Sequence, residues 1–209
     1  MVKKMDKLKE LFIVNKKSII FMLVIFIIAI TSGSIFSIIL SQNDKIYVNN
    51  YLKGFLENTV NNKINITQIF NNLVLSNILY LIIMWIIGIS IIGFPIVIIL
   101  FFLKSFAVGF TIGSILSCYK FNGIIISLLY LFPHNIICII VYFLISIYSI
   151  TLSKKMFYAF VKRKTVDFKN IVGRYTLVLT VSIILMLICV LYESFALPNI
   201  FKTFNFLIN

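Results

Sequence analysis

The sequence predicts an all-α fold: a polytopic membrane bundle of five transmembrane helices, with the N-terminus cytoplasmic, the C-terminus extracytoplasmic, and an N-terminal interfacial helix. Three observations carry this prediction. Of 209 residues, 61% are hydrophobic and 12% charged, with a mean hydropathy of +1.10. A soluble domain carries about 25% charged residues, so this chain has too few to cover its own surface. Uncharged stretches occupy 18–43, 64–103, 105–119, 121–153 and 175–192, and a helix needs roughly 20 apolar residues to cross a bilayer. Finally, 13 of the 19 Lys and Arg fall within 1–17 and 154–174, beside apolar runs. Such clusters face anionic lipid on the cytoplasmic side and set orientation. The net charge of +13 is therefore assigned to membrane flanks, and no nucleic acid is expected as a partner.

Residues 3–17 place Met5, Leu8, Leu11 and Phe12 at helical spacing among lysines, as in a helix lying on the inner leaflet. Span 18–40 follows; it is too long for the apolar core of a secretory signal. Residues 41–72 form an outside loop in which Tyr51, Leu52, Phe55, Leu56, Ile66, Ile69 and Phe70 recur at helical intervals, a series that Leu73 continues. Two short amphipathic helices at the outer face are expected there.

The 40 residues from Ile64 to Leu103 would extend about 60 Å as one helix, twice the hydrocarbon thickness. They must break. Gly93-Phe94-Pro95 offers the turn, because Pro biases its predecessor away from helix and Gly permits the reversal. Spans at 73–92 and 95–119 result. The alternative turn at Lys104 leaves only 15 uncharged residues for the following span. The segment 123–153 contains Pro133 and divides into a short half-helix and a full span at about 134–153. A basic cytoplasmic loop at 154–174, a fifth span at 175–192 and an extracytoplasmic tail at 193–209 complete the chain. Four crossings between the two basic clusters put both on the cytoplasmic side. A single membrane domain covers 1–209.

Catalytic chemistry is sparse. There is one histidine and no H-E-x-x-H, no G-x-x-x-x-G-K and no Cys/His cluster. Cys118, Cys138 and Cys189 lie in apolar runs, where thiols act as small hydrophobes. No enzyme, metal or cofactor is expected. Lys104, mid-span, costs about 2.5–3.5 kcal/mol to insert, so it either faces a cavity, carbonyls or a partner, or snorkels at a helix end under the alternative turn. Pro133-His134-Asn135 reads as a helix break or a ligand contact. Glu193 is either solvated at the outer boundary or holds the tail or a partner. Ser105, Gly109, Gly113 and Ser117 repeat every four residues, as do Ala29, Gly33, Ser37 and Ser41. Such stripes let helix backbones approach in lipid, joining the first and third spans or two copies of the chain as a homodimer.

Trp85-Ile86-Ile87-Gly88-Ile89-Ser90-Ile91-Ile92-Gly93-Phe94-Pro95, the run from Phe102 through Lys104 and Gly109 to Gly113, and Leu131-Phe132-Pro133-His134-Asn135 together resemble the stage II sporulation protein M family. Asn71-Asn72 is similar to the Asn-Asn that precedes the second span in the wider group of five-span proteins. Glu193, Phe195 and Pro198 match its Glu-x-Phe-x-x-Pro motif. Of its His-Gly-x-x-Glu pattern only His134 is present, with Asn135 and Cys138 in place of Gly and Glu. The resemblance implies a non-enzymatic scaffold for engulfment during endospore formation. On that reading it recruits two membrane-anchored wall enzymes, stage II sporulation proteins D and P, to the septal membrane on the mother-cell side. A fold-level likeness of the wider group to type-2 ABC exporter permeases leaves a permease or channel as the alternative.

Overall fold

The structure, a computed structural model, describes residues 16–60, 66–90, 92–130, 135–162 and 168–203. Six helices and no strands are found among them: α1 Lys16–Ile39, α2 Gln42–Val60, α3 Ile66–Ile89, α4 Gly93–Tyr130, α5 Ile136–Lys162 and α6 Phe168–Thr203. Five helical segments are long and apolar enough to cross a membrane: Lys16–Ile39, Phe70–Ile89, Gly93–Leu129, Ile136–Ala159 and Tyr175–Ser194. The expected interfacial helix falls on residues that lie outside the described ones, apart from Lys16 and Lys17, which open α1.

Several elements differ from the sequence expectation. In place of two short helices in 41–72 there is one 19-residue helix, α2, and the later apolar residues belong to the start of α3. Ser41 caps α2 instead of extending the α1 stripe. Its Oγ donates to Asp44 Oδ2 at 2.6 Å and accepts the Asp44 N–H at 3.3 Å, a reciprocal arrangement that satisfies donors at a helix start. The basic segment 154–174 is largely helical, because α5 runs to Lys162 and α6 begins at Phe168. Likewise α6 continues through Glu193 to Thr203, so Glu193 lies within a helix.

The α3–α4 hairpin reverses at Ser90–Ile92. Gly93 N–H donates to Ser90 O at 3.1 Å, and Gly93 and Pro95 both lie in the first turn of α4, where a missing N–H leaves no intrahelical bond unmade. A side chain at Gly93 would meet the Ile87 carbonyl, which explains the glycine. Helical geometry in α4 fails once, at Lys120 (φ 48°, ψ −119°). A Cβ on Gly123 would lie 2.8 Å from Ile115 O, a closeness impossible seven or eight residues along a straight helix. The chain therefore doubles back at Lys120, and 121–130 is a half-helix folded against the end of α4.

α5 is the central helix: 56% of its spanning window is buried, against 17% for α1 at the periphery. Val141, Tyr142 and Ile145 are fully enclosed, packed with Leu81 and Met84 of α3, Val97 and Phe101 of α4, and Met186 of α6. Ser153 Oγ donates to Ser90 O at 2.8 Å and Lys154 Nζ to Ser18 Oγ at 3.4 Å. These bonds gather the start of α1, the α3–α4 turn and the end of α5 at one end of the bundle. α2 lies at the other, against α4 and α6.

The tightest pairing joins α1 and α4. A Cβ at Gly33 would clash with the Phe106 carbonyl, one at Gly109 with the Ile30 carbonyl, and one at Gly113 with Ser37 Oγ. Ser34 Oγ donates to Gly109 O at 2.9 Å, and Phe36 packs between Phe106 and Phe110 at 5.8 and 6.1 Å. Ala29, Ser37 and Ser105 are buried in this seam, whereas Ser117 is exposed beyond it. Gly109→Ile is expected to force the backbones apart and destabilise the protein by about 1–3 kcal/mol, the usual range for overpacking. Gly54, in α2, has nothing within 4 Å of an added Cβ, so Gly54→Ala is expected to stabilise by about 0.5–1 kcal/mol. Thermal unfolding of both variants in detergent checks the pair.

Candidate functional site

Lys104 lies eleven residues beyond Gly93, about 16 Å along α4 and so near the middle of a hydrocarbon core roughly 30 Å thick. An ammonium there needs solvation from the protein. Its Nζ donates to Asn77 Oδ1 of α3 at 3.3 Å and sits 5.1 Å from the ring centre of Tyr80 and 5.5 Å from that of Tyr142. Cation–π contacts reach about 2 kcal/mol when desolvated. Two of them and a hydrogen bond are together of the size of the insertion cost, about 2.5–3.5 kcal/mol.

Other bonds fix the two rings. Tyr80 Oη donates to Leu100 O at 2.5 Å, and Tyr142 Oη donates to Asn77 Oδ1 at 3.1 Å. The rings meet edge to face, centroids 5.5 Å apart at 80°, the favoured aromatic geometry. Asn77 Oδ1 thus accepts from both the ammonium and the phenol, and its placement orients the whole cluster. Beside it, Cys138 Sγ lies 3.2 Å from Met186 Sδ as a thiol–thioether contact. Glu193 of α6 is near enough for its charge to act on Lys104.

These groups border a cavity of about 130 Å³ lined by Asn77, Lys104, Thr111, Asn135, Cys138 and Tyr142, among others. Thr111 also lines a second, larger space of about 440 Å³ between α2 and α4, walled by Tyr47, Val48, Tyr51, Leu52, Phe55 and Phe110. The first space is of mixed lining, more polar than the second, and reaches mid-bundle; the second is an apolar groove at the α2 end.

Lys104 and Asn135 therefore meet at one cavity, with Glu193 close by. Asn72 is exposed on α3 and takes no part in that lining. Pro133 and His134 lie outside the described residues. Gly93 and Pro95 belong to the hairpin turn, and the glycine stripe to the α1–α4 seam, on a different face of α4 from Lys104. Sequence reasoning missed Asn77, Tyr80 and Tyr142. Asn77 and Tyr80 stand at i and i+3 on α3, and the signal that could have found them was a polar pair on one face of an uncharged span.

The Stage II sporulation protein M family matches residues 20–198, most of the chain and every one of its spans. The chain belongs to this family. It is accordingly a multi-pass membrane protein of sporulation. No match was found among curated proteins or among solved structures.

Asn77→Leu strips the acceptor shared by Lys104 and Tyr142 and is expected to destabilise this family member by about 1–3 kcal/mol, the cost of leaving buried donors unmatched. Lys104→Met removes the charge together with its need for solvation, and is expected to leave thermal stability unchanged or raised. Melting curves in one detergent compare the two.

Proposed function

We propose that this family member is a non-enzymatic scaffold required for engulfment, which recruits and anchors stage II sporulation proteins D and P at the septal membrane on the mother-cell side. The observation that carries the reading is α2. It is held across the ends of α4 and α6, and its face shows Tyr47, Tyr51 and Phe55 at four-residue steps, 75%, 69% and 44% exposed. Aromatic side chains in such a row suit a contact surface at a membrane interface.

Orientation follows from charge. Lys16, Lys17, Lys154 and Lys155 cluster at the end opposite α2, and the positive-inside rule assigns that end to the cytoplasm. The N-terminus is then inside, the C-terminus outside, and α2 faces the compartment where wall enzymes act. Replacing Tyr47, Tyr51 and Phe55 together by Ser in the sporulating host is expected to disperse tagged proteins D and P from the septum, leaving membranes that bulge without migrating. The variant itself should still insert. Both enzymes holding their position with normal engulfment would sink the reading.

The Lys104 cavity motivates the second reading, a permease or channel, since charged groups inside spans mark transport pathways. Among the described residues Lys104 is the only Lys, Arg, Asp or Glu lining that space, whereas coupled transport pathways are commonly lined by several ionisable groups, which favours a binding pocket over a conduit. Proteoliposomes containing the protein are expected to leak ions and small anions no faster than empty vesicles. Flux that Lys104→Met abolishes would reverse that preference.

A further inference from the structure

We propose that the Lys104 cavity is a carboxylate-binding site, which accepts an Asp or Glu side chain projecting from the transmembrane helix of a membrane-anchored partner. Three observations carry it. An ammonium has three donors, and among the described residues Lys104 places one hydrogen bond, on Asn77 Oδ1 at 3.3 Å. Two donors remain beside a space that Thr111 and Asn135 also border. Ala107 is exposed on the rim and Thr111 follows one turn later, so a neighbouring helix can bring its backbone close. Thr111 also opens onto the apolar groove of Tyr47, Tyr51 and Phe55, about 10 Å farther along α4 than Lys104. A straight helix with an acid at mid-depth and apolar side chains two turns nearer the surface meets both spaces at once.

Depth selects this occupant over a phospholipid. Lys104 lies near the bilayer centre, whereas a lipid phosphate sits beyond the edge of the hydrocarbon, about 15 Å away. A cavity of about 130 Å³ has room for a carboxylate group. The incoming acid takes the ammonium donors that, among the described residues, Asn77 does not engage. The proposal rests on the scaffold reading only in taking the partner to be a membrane-anchored protein.

The test uses full-length protein in vesicles of phosphatidylcholine with a fluorescent 23-residue Leu/Ala transmembrane peptide carrying one Glu at its midpoint. Energy transfer is expected to report association on the order of tenfold tighter than for the twin peptide bearing Gln, since an ion pair replaces a hydrogen bond from the ammonium to a neutral amide. Lys104→Met should erase the difference and Lys104→Arg should keep it. Thr111→Phe, which fills the junction of the two spaces, should weaken the Glu peptide while retaining normal thermal stability. Equal binding of the Glu and Gln peptides, or an undiminished preference in Lys104→Met, would overturn the site. Sodium acetate protecting the wild type against heat as strongly as the Glu peptide would overturn the helix-borne source in favour of a free carboxylate. The assay contains no wall enzyme, so its result stands whether or not proteins D and P turn out to be recruited.

Discussion

In lipid, apolar helices gain nothing by hiding from solvent, and this bundle depends on surfaces small enough for backbones to touch. The α1–α4 seam is the plainest case. Gly33, Gly109 and Gly113 each stand where a methyl group would strike a neighbouring backbone or side chain, and Ser34 spends its hydroxyl on the Gly109 carbonyl. Contact at that range replaces the absent hydrophobic drive with dispersion and hydrogen bonding. The same device recurs at the C-terminal end of α3. There Gly88 lies against the hydroxyls of Ser149 and Tyr175, while Trp85 stacks on the Tyr175 ring at 6.0 Å. Two groups of glycine contacts, three at the periphery and one in the centre, thus lock α1 to α4 and α3 to α5 and α6.

With those contacts made, the bundle can hold a charge. Lys104 lies on a face of α4 turned away from the glycine seam, toward α3 and α5. The solvation it receives there is built from groups that must each be oriented: Tyr80 by Leu100 O, Tyr142 by Asn77, Asn77 by its position on a helix fixed through Gly88. Replacing such a cluster with apolar side chains commonly leaves stability unchanged or improved. Stability alone therefore does not call for such a cluster, and the cavity beside the ammonium is where the proposed binding role lies.

The fold was largely legible because composition and run length decide how many helices a bilayer can take. The glycine stripe was legible too, since a four-residue period is a local property of α4. What helix pairing creates was not. Lys104 declares itself in the sequence, but its acceptor Asn77 stands 27 residues earlier and Tyr142 lies on yet another helix. Nothing local links them until the hairpin at Ser90–Ile92 sets the register. Asn72, chosen for its motif, is exposed, while Asn77 five residues on faces inward, a difference of helical phase. The serines of α5, Ser146, Ser149 and Ser153, are all buried, yet their uneven spacing of three and four hid them among other small polar residues. The capping of α2 by Ser41 was masked in the opposite way, because Ser41 also continued a four-residue stripe.

The two faces of α4 bear on one another. Its α1 side is clamped by backbone contacts that leave almost no freedom to slide, and protein interiors packed in this way deform in discrete steps instead of yielding smoothly. The opposite side carries Lys104 and Thr111, the latter bordering both the mid-bundle cavity and the groove under α2. On the proposed reading, a rigid wall of this kind holds Lys104 and Thr111 at a fixed separation along α4 before a partner helix arrives. Preorganisation lowers the ordering entropy that association must overcome, so a helix whose acid and apolar side chains match that separation is favoured over one that matches either feature alone. Selectivity would then lie in the spacing between two modest contacts, which is how a membrane surface of little chemical variety can distinguish one apolar helix from another.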